Sequence, residues 1–440
     1  MNTSGKKVLL LSPPNPFLEN PRSVPRLGLL YLGTVLHNQG HEVTVRHLHT
    51  LSELEQLAAE DAFDFVGIST TTREYLDAIQ ILNYLKREGC RATVAIGGPH
   101  ATALPQECLR NGFDLVVTGE ADQEILHLIR HPPEQPEIVH CGAVQDLDSL
   151  PFPDRSLLGE EERWRPFLGL GEDPGLRITS ILLSRGCPYH CAFCGPHFSY
   201  RRRSDDNIGR ELEILRDQGY DGLVILDDLP FVREDQLRSF CELIRPLGMR
   251  FRCNFRPDLL TPTTARLLAD AGCCRLQFGI ESATQSILDS IHKGTRSDAN
   301  GQAIEICHDH GLQTKAMFIW GLPGDGPETA EAIVAWVARY RPDSIQVSSF
   351  VPLPGSPLWN EYRHRVTDYC ALSFFGNGSG GAPTGVANDR LSAEELHCLR
   401  EQILAQCARF THIDRGLPPE AAGIVAKPTG SRLADLICAR

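Results

Sequence analysis

The chain has 440 residues, 42% hydrophobic and 22% charged, the proportions of a globular protein long enough for two or three domains of ~150 residues. A net charge of −13 with no lysine- or arginine-rich tract argues against a nucleic-acid binder. The opening "MNTSGKKVLLLSPPNPF" reaches Pro13 after a short apolar run, too short for an export signal or a membrane span, so a cytoplasmic protein without membrane contact is expected.

Residues 1–140 alternate short apolar runs with amphipathic stretches. Strands are predicted at Val8–Leu11, Glu42–Val45, Phe65–Ser69, Thr93–Ile96 and Leu115–Thr118. Between them, "LGLLYLGTVLHNQG" and "EYLDAIQILNYLKREG" read as helices closed by glycine. Strand–helix alternation predicts an α/β fold with a doubly wound, Rossmann-like parallel sheet, which binds ligands at the carboxyl ends of its strands. Those ends carry Ser69 and Thr70, Gly97 and Gly98, and Gly119 and Glu120, small or polar residues suited to a rim approached by a ligand.

The proline-punctuated stretches "DLDSLPFPDRSLL" and "GLGEDPGL" predict a linker over 141–178. Strands then follow at Ser180–Ser184, Leu223–Leu226, Arg250–Asn254, Arg275–Gly279, Lys315–Ile319 and Ser344–Ser349. In "TPTTARLLADAG", Thr261 is the expected N-cap, Pro262 opens the helix and Gly272 lies past its end. Six strand–helix units, against eight in a closed barrel, predict a partial (β/α)6 barrel over 179–370. A flexible loop at "FFGNGSGGAPTG", a helix near Ala393–Phe410 and a Pro- and Gly-rich tail make a helical extension over 371–440.

Of 15 cysteines, most are scattered singly, and Cys241, Cys273, Cys274 and Cys307 read as small buried hydrophobes. The exception is "GCPYHCAFCG", in which Cys187, Cys191 and Cys194 fall at spacings of four and three. Zinc normally takes four ligands, and His190 and His197 stand close enough to keep zinc open by counting. A four-iron cluster held by three thiolates leaves one iron without a protein ligand, as catalytic metals keep a position open for substrate.

The pattern Cys-x-x-x-Cys-x-aromatic-Cys, here Cys187, Cys191, Phe193 and Cys194 after the strand "SILLSRG", resembles the signature of radical S-adenosylmethionine (radical SAM) enzymes. The resemblance implies a 4Fe–4S cluster on the three cysteines, with S-adenosylmethionine chelating the open iron. One electron, from a flavodoxin- or ferredoxin-type donor, then cleaves it to a 5′-deoxyadenosyl radical that abstracts a substrate hydrogen. It further implies Phe193 beside the cofactor and Asp227 or Asp228 toward the methionyl amine. Arg256 is suited to fork onto its carboxylate, Glu281 and Ser282 fall near the ribose or methionyl part, and Gly321 allows close adenine approach.

The first domain sharpens this resemblance. "RLGLLYLGTVLHNQGHEV", "VGIST", "IGGPHATALPQE" and "VVTGEADQEI" are similar to the cobalamin-binding domain that precedes the radical module in one large subfamily. By that resemblance Ser69, Thr70, Gly97, Gly98, Gly119 and Glu120 contact cobalamin. The Asp-x-His-x-x-Gly motif that supplies a lower histidine ligand elsewhere is absent, and "VRHLHTL" offers only His47 and His49. The leading expectation is cobalamin-dependent C-methylation of a small molecule in natural-product (antibiotic) biosynthesis. The alternative is a radical enzyme of the same architecture without methyl transfer, performing diol dehydration, epimerisation, ring contraction or cyclisation. A dehydratase needs a general acid, for which Tyr220, His308 and Glu281 are the candidates. A non-catalytic iron–sulfur or zinc module is the third reading.

Overall fold

The computed structural model describes residues 5–14, 26–50, 52–54, 63–158, 168–169, 175–367, 369 and 385–414. The loop expected at 374–384 and the tail past 414 lie outside these residues.

Strand β1 (Lys7–Ser12), buried from Val8 onward, lies between β2 (Glu42–His47) and β3 (Phe65–Ser69), all parallel. Its apolar run serves both faces of the sheet. Val8 and Leu10 join the core under helix Leu27–His37, while Leu9 and Leu11 join the core under helix Tyr75–Arg87. Alternation with a period of two requires this of a strand covered on both sides. Strands β4 (Thr93–Gly97), β5 (Leu115–Thr118) and β6 (Glu137–His140) complete the order β2-β1-β3-β4-β5-β6. The direction of winding reverses beside β1, which puts the switch-point crevice at the ends of β1 and β3. Strand β6, unexpected from the sequence, is a four-residue edge strand with no fully buried residue.

The second sheet opens with β7 (Ile178–Ile181). A two-residue antiparallel ribbon follows, β8 (Ser184–Arg185) with β9 (Arg201–Arg202). Strands β10 (Gly222–Ile225), β11 (Arg250–Phe255), β12 (Cys273–Glu281), β13 (Gln313–Trp320) and β14 (Ser344–Ser349) then add in chain order, all parallel. Phe251, Cys253 and Phe255 enter the core shared with the surrounding helices. Thr261 and Thr264 form a reciprocal capping box at helix Pro262–Asp270, as its sequence predicts.

The six strands form the expected partial barrel, with one addition. The short β15 (His412–Ile413) pairs with β14 and extends the sheet to seven strands. Helix Ala393–Cys407 is tied to the barrel by Trp320 Nε1 donating to Leu396 O (2.8 Å) and Arg400 Nε donating to Val347 O (2.8 Å). At the foot of the linker, Arg155 donates to Thr179 Oγ1, Ser180 O and Glu211, and Arg203 pairs with the same buried Glu211. Charges this far from water persist because each has its partner. Among the described residues no helix is long and apolar enough to cross a membrane.

Candidate functional site

The cysteine segment is a loop, 186–200, closed at its neck by the β8/β9 ribbon, with Cys187 N donating to Phe198 O (3.2 Å). Gly186 turns the chain into it at φ +78, and a Cβ there would lie 2.4 Å from Ser199 O, so the position tolerates only glycine. Asp227, just past β10, holds the approach. Its fully buried carboxylate accepts the N–H of Leu183 and of Ser184 and the Ser184 hydroxyl. Burial pushes it up to about 7 against the pull of those donors.

Cys187, Cys191 and Cys194 all line one cavity of about 280 Å³ at the C-terminal mouth of the barrel, and none is in a disulfide. Burial, Asp228 and the two neighbouring thiols push Cys194 up to about 12, and burial raises Cys191 as well. Thiols that oppose each other's ionisation become thiolates when a cation sits among them, so this donor set suits iron. Among the described residues no three His, Cys, Asp or Glu side chains converge on a single ion.

Phe193, Asp228, Arg256 and Glu281 line the same cavity. Arg256 lies 3.6 Å over the centre of the Tyr189 ring, with its fork held by Asp258 at 3.0 Å twice. Glu281 adopts φ +63 and pairs with Lys293 Nζ at 2.8 Å, both nearly buried. Gly279 makes room for this pair, because a Cβ there would sit 2.4 Å from Glu281 Oε1 and 2.9 Å from Lys293 Nζ.

A second cavity, of about 390 Å³, opens between the domains. Ser69, Gly97, Gly98, Gly119 and Glu120 form its rim, and Leu10, Phe65 and Gly28 line its depth between the first sheet and helix Leu27–His37. An added Cβ at Gly28 would meet nothing within 4 Å, so the missing side chain leaves open space on the cavity wall. Gly98 lies at φ +90, and a Cβ there would sit 2.9 Å from Thr70 O and 3.0 Å from Ser69 Oγ. An apolar slot with a glycine rim fits a corrinoid and its tail. None of the described lining residues is a histidine, in keeping with the missing Asp-x-His-x-x-Gly motif.

The two cavities meet at Gly186, Phe198 and Asp228, which line both. Of the charged side chains lining them, Glu120, Asp122, Arg185, Arg256, Glu281 and Lys293 are ion-paired and Asp227 is filled by its three donors. Asp228 alone among the described lining carboxylates has no hydrogen bond or salt bridge. Burial raises its pKa, and the charge of His197 works the other way.

Several expectations are corrected. Tyr220 precedes β10 at the opposite end of the barrel, where it stacks under Arg177 and packs on the core, away from both cavities. His308 likewise faces Asp343 just before β14. Gly321 is backed by Leu396 and Phe350 rather than by either cavity. Ser282 accepts from Thr284 N, and the buried Thr70 hydroxyl bonds Thr71 O; neither lines a cavity. Lys293 and Arg185 were not singled out from the sequence.

Three thiols around a cavity open to a second, apolar cleft define an iron–sulfur enzyme with room for another large cofactor. Comparison with known proteins agrees. The radical SAM superfamily model matches residues 181–337, and the B12 binding domain model matches residues 21–129. The chain belongs to the radical SAM enzymes that carry a cobalamin-binding domain, and its cofactors are a 4Fe–4S cluster, S-adenosylmethionine and cobalamin. It is 26% identical over 371 residues to an uncharacterized methyltransferase of Pyrococcus horikoshii, covering 76% of this chain and 78% of that one. It is 28% identical over 334 residues to the anaerobic magnesium-protoporphyrin IX monomethyl ester cyclase of Rubrivivax gelatinosus, covering 69% of this chain and 59% of the cyclase. The fold matches the radical S-adenosylmethionine methyltransferase TsrM of Kitasatospora setae, solved with cobalamin and a 4Fe–4S cluster. The TM-score is 0.65 at 19% identity, over 97% of this chain and 93% of that one.

Proposed function

We propose that this enzyme methylates an unactivated carbon of a small molecule in natural-product biosynthesis. The meeting of the two cavities at Gly186, Phe198 and Asp228 carries the reading, since a substrate lodged there lies between the thiol-lined mouth and the apolar cleft. When bound, the cluster with S-adenosylmethionine supplies a hydrogen-abstracting radical and cobalamin supplies the methyl group.

The chain's own residues bind, orient and shield. Cys187, Cys191 and Cys194 hold the cluster, while Asp227 fixes the path of the chain into their loop. Asp228, with no hydrogen bond or salt bridge among the described residues, receives an ammonium or another hydrogen-bond donor, such as the methionyl amine. The stacked, forked Arg256 and the Lys293–Glu281 pair hold the opposite wall in one geometry. Leu182, Leu226 and Phe198 exclude water from the passage. A flavodoxin- or ferredoxin-type electron donor and a cytoplasmic location complete the proposal.

The test uses the full chain, reconstituted without oxygen with iron, sulfide and hydroxocobalamin. It is given S-adenosylmethionine deuterated in its methyl group and small-molecule extracts of the producing cells. A product that gains the labelled methyl supports the proposal. Formation of 5′-deoxyadenosine with an altered but unlabelled product favours a radical reaction without methyl transfer, the direction in which the cyclase relative points. Absence of 5′-deoxyadenosine under reducing conditions sinks both.

A further inference from the structure

The neck of the cysteine loop is bolted to the rim of the other cavity. Arg185 of β8 forks onto both oxygens of Asp122 at 2.9 Å each, and its guanidinium also lies over the Tyr31 ring. Across the ribbon, Arg201 of β9 forks onto both oxygens of Glu120 at 2.8 Å each and donates to Val144 O at 2.7 Å. Glu120 also accepts the N–H of Val144. All four charged groups are 15% exposed or less, so the forks are shielded from water and hold their geometry more firmly than surface pairs. Arg185 and Arg201 are register partners in the ribbon, and Glu120 and Asp122 are two apart on the segment after β5. Two rigid forks therefore join two short segments, one bearing the cysteines and the other forming a wall of the interdomain cavity.

We propose that Glu120 and Asp122, with Arg185 and Arg201, are positioning residues that couple the two cofactor sites. A molecule seated against Gly119–Asp122 steadies the neck of loop 186–200 and so the placement of the three thiols. By the reciprocity of binding, an ordered cysteine loop tightens the cavity for its occupant to the same degree. Glu120, expected to contact cobalamin, serves this pairing with its whole carboxylate. The inference rests on the cobalamin reading above only for the identity of the occupant.

Hydrogen–deuterium exchange on the full chain, before iron is supplied, separates the two ideas. The variant is Arg201→Gln, whose side chain lines neither cavity, with Arg201→Lys keeping the charge but not the fork. Without ligand, Arg201→Gln speeds exchange about fivefold or more both in 186–200 and across the domain junction in 119–124, and Arg201→Lys falls between it and wild type. Added hydroxocobalamin slows both segments in wild type but only 119–124 in Arg201→Gln. If Arg201→Gln loosens its own loop alone, or if hydroxocobalamin protects 186–200 equally with and without Arg201, the coupling is refuted. If Arg201→Gln does not fold by circular dichroism, the Arg201→Lys comparison decides by the same criteria. Failure of hydroxocobalamin to change its absorbance with wild type removes the cobalamin reading, while the ligand-free comparison still judges the coupling.

Discussion

Two adjacent carboxylates, Asp227 and Asp228, offer a sharp test because the structure gives them opposite duties. Asp227 takes three donors in a site sealed from water. In Asp227→Asn the side-chain oxygen still accepts from Ser184 N, and the Ser184 hydroxyl has Leu229 O within 3.2 Å as an alternative acceptor. Leu183 N keeps the side-chain oxygen at 3.1 Å, but the new amide NH2 takes the place of the oxygen 3.0 Å from the same N–H, so donor faces donor in the sealed site. A buried donor left unmatched costs about 1–3 kcal/mol, and ~2 kcal/mol lowers the Tm of a domain this size by roughly 4–8 °C. Among the described residues Asp228 has no donor to lose, so Asp228→Asn changes Tm by less than about 2 °C, within the range of neutral substitutions. It does remove a charge-assisted contact to a bound amine, weakening S-adenosylmethionine binding by roughly ten- to a hundredfold. Thermal melts together with titration of S-adenosylmethionine into the reconstituted protein read both effects. Titration supplies an independent check. The folded-state pKa of Asp227, raised from 3.8 to about 7, means that the folded protein holds this proton more tightly than the unfolded chain. Its contribution to stability is thus complete below about pH 4 and is lost as pH rises through 7, a slope that Asp227→Asn lacks. A Tm unchanged in Asp227→Asn, or lowered as much in Asp228→Asn, refutes the division of labour.

Cys191→Ala leaves two thiolates for the cluster, and iron bound after reconstitution falls to a small fraction of the wild-type amount by colorimetric assay, with 5′-deoxyadenosine formation lost. Gly119→Ala forces a Cβ to within 2.1 Å of the Cys141 carbonyl at φ +79, costing about 1–3 kcal/mol in backbone strain alone; hydroxocobalamin absorbance titrations show binding weakened at least tenfold. Lys293→Met strands Glu281 as a buried charge, at about 3–5 kcal/mol, and the double variant with Glu281→Gln regains most of the lost Tm. His100, stacked 3.8 Å from Tyr75 and pushed down to about 4 by burial, stays neutral in the folded chain. Its contribution is present above pH 6.5 and lost as pH falls toward 4, so His100→Phe flattens the acid side of a Tm–pH curve.

Most strands were readable because an apolar run closed by glycine or proline has few other ways to bury itself. Strand β1 is the clearest instance, serving two cores with alternate residues. Strand β6 was missed because an edge strand of four half-exposed residues carries no such pattern. The predicted Ser180–Ser184 strand ends early, at Ile181, because Asp227 draws the backbone of Leu183 and Ser184 out of the sheet. Tyr220 was offered as an acid from its residue type alone, although it precedes its strand and so lies at the end away from the ligand-binding rim. The clamp did leave a trace in the sequence: arginines 185 and 201 flank the cysteine loop, and "GEAD" places two acids two positions apart after β5. Complementary charges in two distant segments do not say that those segments touch.

What the sequence by itself determined was the chemistry that local spacing encodes: three thiols within eight residues, the strand that delivers them and a glycine-marked rim in the first domain. These depend on contacts between near neighbours, and such contacts survive in a linear reading. Which acids are free and which are bound was decided only by tertiary structure. Asp227 becomes a latch, Glu120 a clamp and Asp228 an open carboxylate through partners 24 to 81 residues away, or through having none among the described residues. The state of a buried charge is set by what surrounds it in space, and only the folded chain supplies that surrounding.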